Sequence, residues 1–182
     1  MTPAPYDLKV AYRSLYNPSA KDFVVVDVPE LAYLMVDGHG DPNTAAAYRE
    51  AVEALYATSY ACRAIAKATL NRVHVVGPLE GLWWSDDLTA FTARRKSDWS
   101  WTMMIAQPDW VTASMVDEAK LQKGTASVRF ETLAEGRCVQ ILHVGSYDDE
   151  TPVLARLHDE YLPAARTTAP EKLRTVLRQP VS

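Results

Sequence analysis

Two stretches of the chain, "LMVDGHGD" (Leu34 to Asp41) and "ILHVGSYD" (Ile141 to Asp148), hold the same place in a repeated pattern. Each closes an apolar, strand-like run, carries glycine at the same position (Gly38 and Gly145), and leads through an acidic residue into helical periodicity. A chain of 182 residues that does this twice has room for two similar α+β modules and little else.

The surrounding sequence fills in the modules. "DFVVVDVPELAYLMVDGHGD" reads as two strands broken at Pro29, because proline cannot donate to a ladder. A helix follows, capped by Asp41, Asn43 or Thr44, striped with Tyr48, Val52, Leu55, Tyr56 and Tyr60, and closed at Asn71. The β-branched and aromatic runs "VHVVGPLEGLWW" and "DWSWTMMIA" form a strand pair joined by the polar "SDDLTAFTARRKS". A short helix from Ala113 to Lys123 stops at Gly124. "SVRFETLAEGRCVQILHVGSY" is expected to be a hairpin turning near Glu135 and Gly136. "DDETPVLARLHDEYL" is a helix and "KLRTVLRQPV" a last strand. The nine residues "PAARTTAPE" between Leu162 and Lys172 are too short and proline-rich for a further strand, so the second module is one strand short of the first. The expected organisation is a lead-in over 1–21 and one domain over 22–182. That domain comprises a first module at about 22–110, a connecting helix at about 112–124 and a second module at about 125–182. The fold class is α+β: duplicated hairpin–helix–strand modules forming an antiparallel sheet with a central ligand groove.

Composition narrows the function. A formal net charge of -4 disfavours a nucleic-acid binder, which shows a basic face. No apolar run reaches membrane-spanning length, and the N-terminus lacks the basic-then-apolar pattern of an export signal. Cys62 and Cys138 have no partner motif and read as reduced, buried thiols of a cytoplasmic protein. His39, His74, His143 and His158 show no metal-ligand spacing, and "DGHGDPN" lacks the further glycine and lysine of a phosphate loop, so no metal or cofactor is expected.

The chemistry concentrates in "GPLEGLWWSDD" and "SDWSWTMMIAQ". Four of the five tryptophans, Trp83, Trp84, Trp99 and Trp101, lie here beside Glu80 and Met103. Strand alternation puts Glu80, Leu82 and Trp84 on one face, Gly81 and Trp83 on the other, and Trp99, Trp101 and Met103 together. A one-residue bulge at Gly81 would exchange Trp83 for Trp84. Aromatic walls stack on planar molecules, methionine adapts to varied shapes, and a carboxylate pairs with a cation or activates water. The plainer alternative packs one tryptophan of each pair under the helix stripe and lays the other along a strand edge. Tyr147, at the second strand-to-helix corner, reaches toward the same groove.

"VDGHGDPN", "AVEALYA", "PLEGLWW", "WTMMIAQPDWVT", "CVQILHVGSYDDE" and "RTTAPEKLRTVLRQP" together cover most of the chain from Asp22 onward. In these stretches the sequence resembles the GyrI-like small-molecule-binding family. Its members share the fold of the effector domains of bacterial multidrug-responsive transcription activators. About twenty residues precede the first strand, too few for a DNA-binding helix-turn-helix, so the resemblance is to the stand-alone branch. It implies binding of planar aromatic, hydrophobic or cationic small molecules. It also implies, for some members, hydrolysis of cyclopropane-bearing genotoxins, a detoxifying, drug-resistance activity. On that reading Glu80 is the carboxylate, Tyr147 a donor to the substrate oxygen, and Trp83, Trp84, Trp99, Trp101 and Met103 the walls. A binder that sequesters drugs without turnover is the alternative. Members also carry a pocket glutamate in a "HHEIYL"-type strand; here "LHDEYLPA" continues a helix, and Glu160 does not inherit that role.

Overall fold

A computed structural model gives the fold and describes residues 4–87, 90, 93–145, 152, 153, 156 and 173–180. The chain divides into two compact units, Met1–Ala11 with Leu31–Leu133, and Tyr12–Glu30 with Ala134–Ser182. Helices and two antiparallel sheets make it an α+β protein, as the sequence pattern requires.

The first unit opens with helix α1 (Leu8–Ala11) and holds strand β2 (Leu31–His39), helix α3 (Ala46–Leu70), β3 (Glu80–Trp84), β4 (Ser100–Gln107), helix α4 (Ala113–Lys123) and β5 (Arg129–Leu133). Its strands lie in the order β3-β4-β2-β5. The second unit holds α2 (Arg13–Tyr16), β1 (Val24–Val28), β6 (Gly136–Gly145) and β7 (Leu173–Pro180), in the order β1-β6-β7.

Consecutive strands on either side of Pro29 do not pair with each other: β1 pairs with β6, and β2 with β4 and β5. The expected hairpin at Glu135–Gly136 is likewise replaced, since β5 joins the first sheet and β6 the second. Tight two-residue hairpins need a positive φ in the turn. Neither Pro29 nor Glu30 has one, so β1 and β2 are not joined by such a turn; Gly136 does (φ 69°), yet it opens β6 opposite Val28 instead of closing a hairpin with β5. The repeat is nevertheless explicit in the order β4-β2-β5 against β7-β6-β1. Among the described residues, no strand of the second sheet takes the place that β3 has in the first; residues 157–172, where that strand was sought in the sequence, lie outside those described.

Helix α3 packs on one face of the first sheet. Its buried residues are mostly small: Ala51, Thr58, Ser59, Ala61, Cys62 and Ala66, with Leu55 and Ile65 between them. The expected tyrosine stripe is only half right, for Tyr60 is exposed while Leu55 is fully buried. Small side chains let the helix axis approach a sheet face that itself carries large residues, namely Leu34, Val36, Trp101, Met103 and Ile105. None of the three expected caps serves α3. Its N-cap is Ala45, and Asp41 instead accepts the Asn43 N–H at 2.9 Å just ahead of the helix. Asn71 closes it in the left-handed conformation (φ 51°). Thr112 caps α4 by accepting the Met115 N–H, and Gly124 (φ 68°) ends it.

In the second unit Leu15 packs against Val28 and Cys138. The Arg178 guanidinium donates to Glu135 at 2.7 Å, to Gln140 at 3.0 Å and to the Leu15 carbonyl at 3.1 Å. Gln140 in turn donates to the Ser14 carbonyl at 2.6 Å.

Within the first sheet Gly38 is paired with Trp101, whose ring lies over it. A Cβ on Gly38 would come 2.0 Å from Trp101 Cη2, and the ring is fully buried, with its Nε1–H donated to the Gly40 carbonyl at 3.2 Å. Gly38→Ala should therefore cost about 3 kcal/mol or more of folding stability, measured by urea denaturation, because neither backbone nor ring can yield. A loss below about 1 kcal/mol would show that the indole has another seat.

Candidate ligand-binding face

The β3–β4 register runs without a bulge from Glu80 opposite Met104 to Trp84 opposite Ser100. It pairs Trp83 with Trp101 and Gly81 with Met103. Since directly paired residues share a face, Trp83, Trp101 and Met103 lie on the α3 side, whereas Glu80, Leu82 and Trp84 lie on the other.

On the α3 side the aromatics form a connected series. Tyr48 from α3 meets Trp101 edge-on at 5.3 Å between ring centroids and Trp83 at 6.2 Å; Trp83 meets Trp99 at 5.9 Å. Gly81 makes this possible. A Cβ there would sit 2.8 Å from Trp83 Nε1 and 3.0 Å from Met103 Sδ, so the indole folds back across the glycine. Burial, and then the neighbouring Tyr56 phenol, push the Tyr48 hydroxyl above its ordinary pKa, so it stays neutral. Trp99 donates its Nε1–H to the Ala90 carbonyl at 3.4 Å, and Arg95 ties the connecting loop together through Asp87 and Asp98. Trp99, Trp101 and Met103 are 3%, 0% and 3% exposed. Expected as ligand walls, all three are buried: Trp101 and Met103 in the core cluster shared with α3, and Trp99 against Ala90 and Trp83. Trp83 is partly buried at the margin of the same cluster.

The opposite face carries different chemistry. One row of paired residues crosses all four strands: Glu80, Met104, Met35, Arg129. The next holds Leu82, Thr102 and Asp37, and the next Trp84, Ser100 and His39. The Arg129 guanidinium grips Asp37 with two nitrogens, at 2.8 and 3.2 Å, donates to Glu131 at 2.9 Å, and touches Met35 Sδ at 3.1 Å. Thr102 donates its hydroxyl to Asp37, and His39 Nδ1 lies 3.2 Å from Ser100 Oγ. Three carboxylates (Glu80, Asp37 and Glu131) thus share this face with one guanidinium, over a floor of two buried methionines, 3% and 4% exposed. Trp84 stands at the end of the face, 44% exposed. The arrangement can hold an apolar, flat or cationic molecule against soft thioether and indole surfaces with a carboxylate beside it.

Of the residues singled out in the sequence, Glu80 and Trp84 therefore share this face, and Trp83, Trp99, Trp101 and Met103 share the other. Tyr147 lies outside the described residues. Met35, Met104, Asp37, Thr102 and Arg129 were missed. Their signal, alternation within β2, β4 and β5, becomes readable only once the pairing is known. Cys62 and Cys138 are buried, and desolvation pushes each thiol up to about 11, so neither is a nucleophile near neutral pH. Among the described residues no group of three His, Cys, Asp or Glu side chains could hold a metal ion, and no helix is long and apolar enough to cross a membrane.

The two faces make a direct stability test. Trp101→Ala should cost about 3 to 5 kcal/mol in denaturant unfolding, as a large core truncation does, and Trp84→Ala less than about 1 kcal/mol. Equal losses would contradict the placement of the two indoles on opposite sides.

A GyrI-like small molecule binding domain model matches residues 21–174. Among solved structures, an uncharacterized conserved protein from Listeria innocua is 33% identical, with a TM-score of 0.82 over 97% of this chain and 100% of that one. Two proteins described as hydrolases from the same organism are each 32% identical. Their TM-scores are 0.81 over 98% of this chain and 0.78 over 97% of it, with 100% of the other chain covered in both cases. No functionally curated protein matches the chain. With the matched region spanning most of its length, the chain belongs to the GyrI-like small-molecule-binding family.

Proposed function

We propose that the chain binds a planar, apolar or cationic aromatic molecule on the Glu80 face of its first sheet and hydrolyses a strained electrophile held there. The observation that carries this reading is the row Glu80–Met104–Met35, a carboxylate set beside an adaptable apolar floor with Trp84 at its end. The three carboxylates among the described residues of that face support a ligand carrying positive charge. The hydrolase descriptions of two structures 32% identical over almost the whole chain support turnover as well as binding.

In this reaction Glu80 takes a proton from a water molecule as the water oxygen bonds to a cyclopropane carbon conjugated to a carbonyl. The strained C–C bond breaks, and its electron pair passes through the conjugated system to the carbonyl oxygen. That oxygen receives the proton, by way of Glu80 or Tyr147, so the product is the substrate plus one water. Trp84 stacks on the planar ring. Trp83, Trp99, Trp101 and Met103 hold β3 and β4 in the register that presents Glu80.

Incubation with a cyclopropane-bearing DNA alkylator should give a ring-opened hydrate by mass spectrometry. Glu80→Gln should lower its rate at least about a hundredfold, within the range for removal of a general base. Tryptophan quenching should still show the ligand bound to that variant. Equal turnover in Glu80→Gln would overturn the catalytic role, whereas tight quenching with no product from the unaltered protein would leave a sequestering binder.

A further inference from the structure

The N-terminal residues of the first unit are fastened at one place. Tyr6 forms a parallel bridge with His74: the Tyr6 N–H donates to the Val73 carbonyl at 2.8 Å, and the Val75 N–H donates to the Tyr6 carbonyl at 2.8 Å. The Tyr6 ring stands edge-on to Trp110 at 5.0 Å, and the His74 ring lies 6.2 Å from the same indole. Leu8, in α1, is buried directly after this bridge. The residues 4–11 thus act as a strap laid over the segment that leads from α3 to β3.

The group beneath the strap is unusual. His74 is 1% exposed, and neither ring nitrogen has a hydrogen-bond partner; the Trp110 Nε1–H is also buried without one. Buried polar atoms are normally paired, since leaving one unpaired costs free energy and leaving a charge unpaired costs far more. The charged groups that face His74 are cations. From α3, Arg63 donates its Nε–H to the His74 carbonyl at 2.8 Å, and from the connecting segment Arg72 lies over the Trp110 ring at 4.7 Å. The strap itself carries the Tyr6 phenol, whose ring stands against Trp110, and Asp7, whose carboxylate accepts the Lys9 N–H at 2.8 Å. A proton on His74 would create a third cation in this place, with neither a carboxylate nor a paired acceptor to receive it among the described contacts.

We propose that His74 is an acid-sensitive latch: neutral, it holds residues 4–11 against the segment 73–75, and protonated, it releases them. The direction follows from the physical chemistry of the site. Burial, and then Arg63, lower the pKa of the ring from 6.5 to about 4 in the closed form. Once the strap opens, the ring meets water and binds a proton at its ordinary value. The closed form is therefore fully favoured above about pH 6.5 and loses ground as the pH falls toward 4, the opening constant rising up to roughly tenfold per pH unit. Because β3 starts at Glu80, six residues beyond His74, the latch sits on the same connection that delivers the proposed carboxylate.

The test is amide hydrogen exchange on the full chain between pH 7.5 and 5, corrected for the intrinsic pH dependence of exchange. Protection of Tyr6 and Val75 should fall more than tenfold relative to amides in the middle of α3, and His74→Phe, which fills the ring volume without titrating, should abolish that fall. Unchanged relative protection in the unaltered protein, or an equal fall in His74→Phe, would overturn the latch. Should His74→Phe fail to fold, NMR titration of the His74 ring in the unaltered protein decides the matter. Proton uptake should coincide with loss of the Tyr6 and Val75 protection, and uptake with protection intact would overturn the proposal.

Discussion

The seat of Trp101 on Gly38 governs the first unit. A fully buried indole can lie across a neighbouring strand only where that strand has no side chain, and Gly38 supplies that gap at the register position directly opposite. The ring then fills space under α3, whose buried side chains are mostly small, Ala51, Ala61, Cys62 and Ala66 beside Leu55 and Ile65. Gly81 repeats the device one strand over by letting Trp83 fold onto Met103. Two glycines therefore fix how four strands and a helix stack. The same register sends Glu80, Leu82 and Trp84 to the other side of the sheet. The candidate site is thus a consequence of core packing on the face that carries none of its ligand contacts.

The repeated halves have diverged in how they use equivalent positions. If Gly145 corresponds to Gly38, then Gln140 stands where Tyr33 stands, and its partner Arg178 where Ala106 stands. The first sheet keeps that pair apolar and buried, whereas the second builds a polar network with Arg178 only about a tenth exposed. A guanidinium so enclosed is tolerable because Glu135, Gln140 and the Leu15 carbonyl all accept from it; losing any one of them would leave charge or polarity unmet. Arg129, on the first sheet, is a third exposed and works at the margin, where its ion pairs orient side chains more than they stabilise the fold.

Much of this was legible in the residues. The two glycine corners and the switch between apolar period two and helical spacing gave the repeat. Gly124 and Asn71 marked helix ends because left-handed conformations select them. The alternation in "PLEGLWW" put Glu80 and Trp84 together, as found. What the sequence could not convey was pairing between strands distant along the chain. Pro29–Glu30 looks like a turn locally, yet it sends its two strands to different sheets. The tryptophan pairs looked like a pocket because aromatic residues suit both walls and cores, and only the register of β4 against β2 decides between them. The row of Met104, Met35 and Arg129 comes from three separate strands, so no single window of sequence contains it.

Three carboxylates share the candidate face, and they stand at different places across the sheet. Asp37 is held by the fork of Arg129 and by the Thr102 hydroxyl, and Glu131 by the same guanidinium. Glu80 is on β3, at the far end of the row, three strand spacings or roughly 14 Å of backbone from Arg129. It is paired with Met104 across β4, and Leu82 lies beside it on the same face of the strand. Among the described residues, the guanidinium of this face lies at the β5 end, paired with Asp37 and Glu131. Glu80 and the two buried methionines lie together toward the β3 end, a carboxylate beside the apolar floor that a flat molecule would meet.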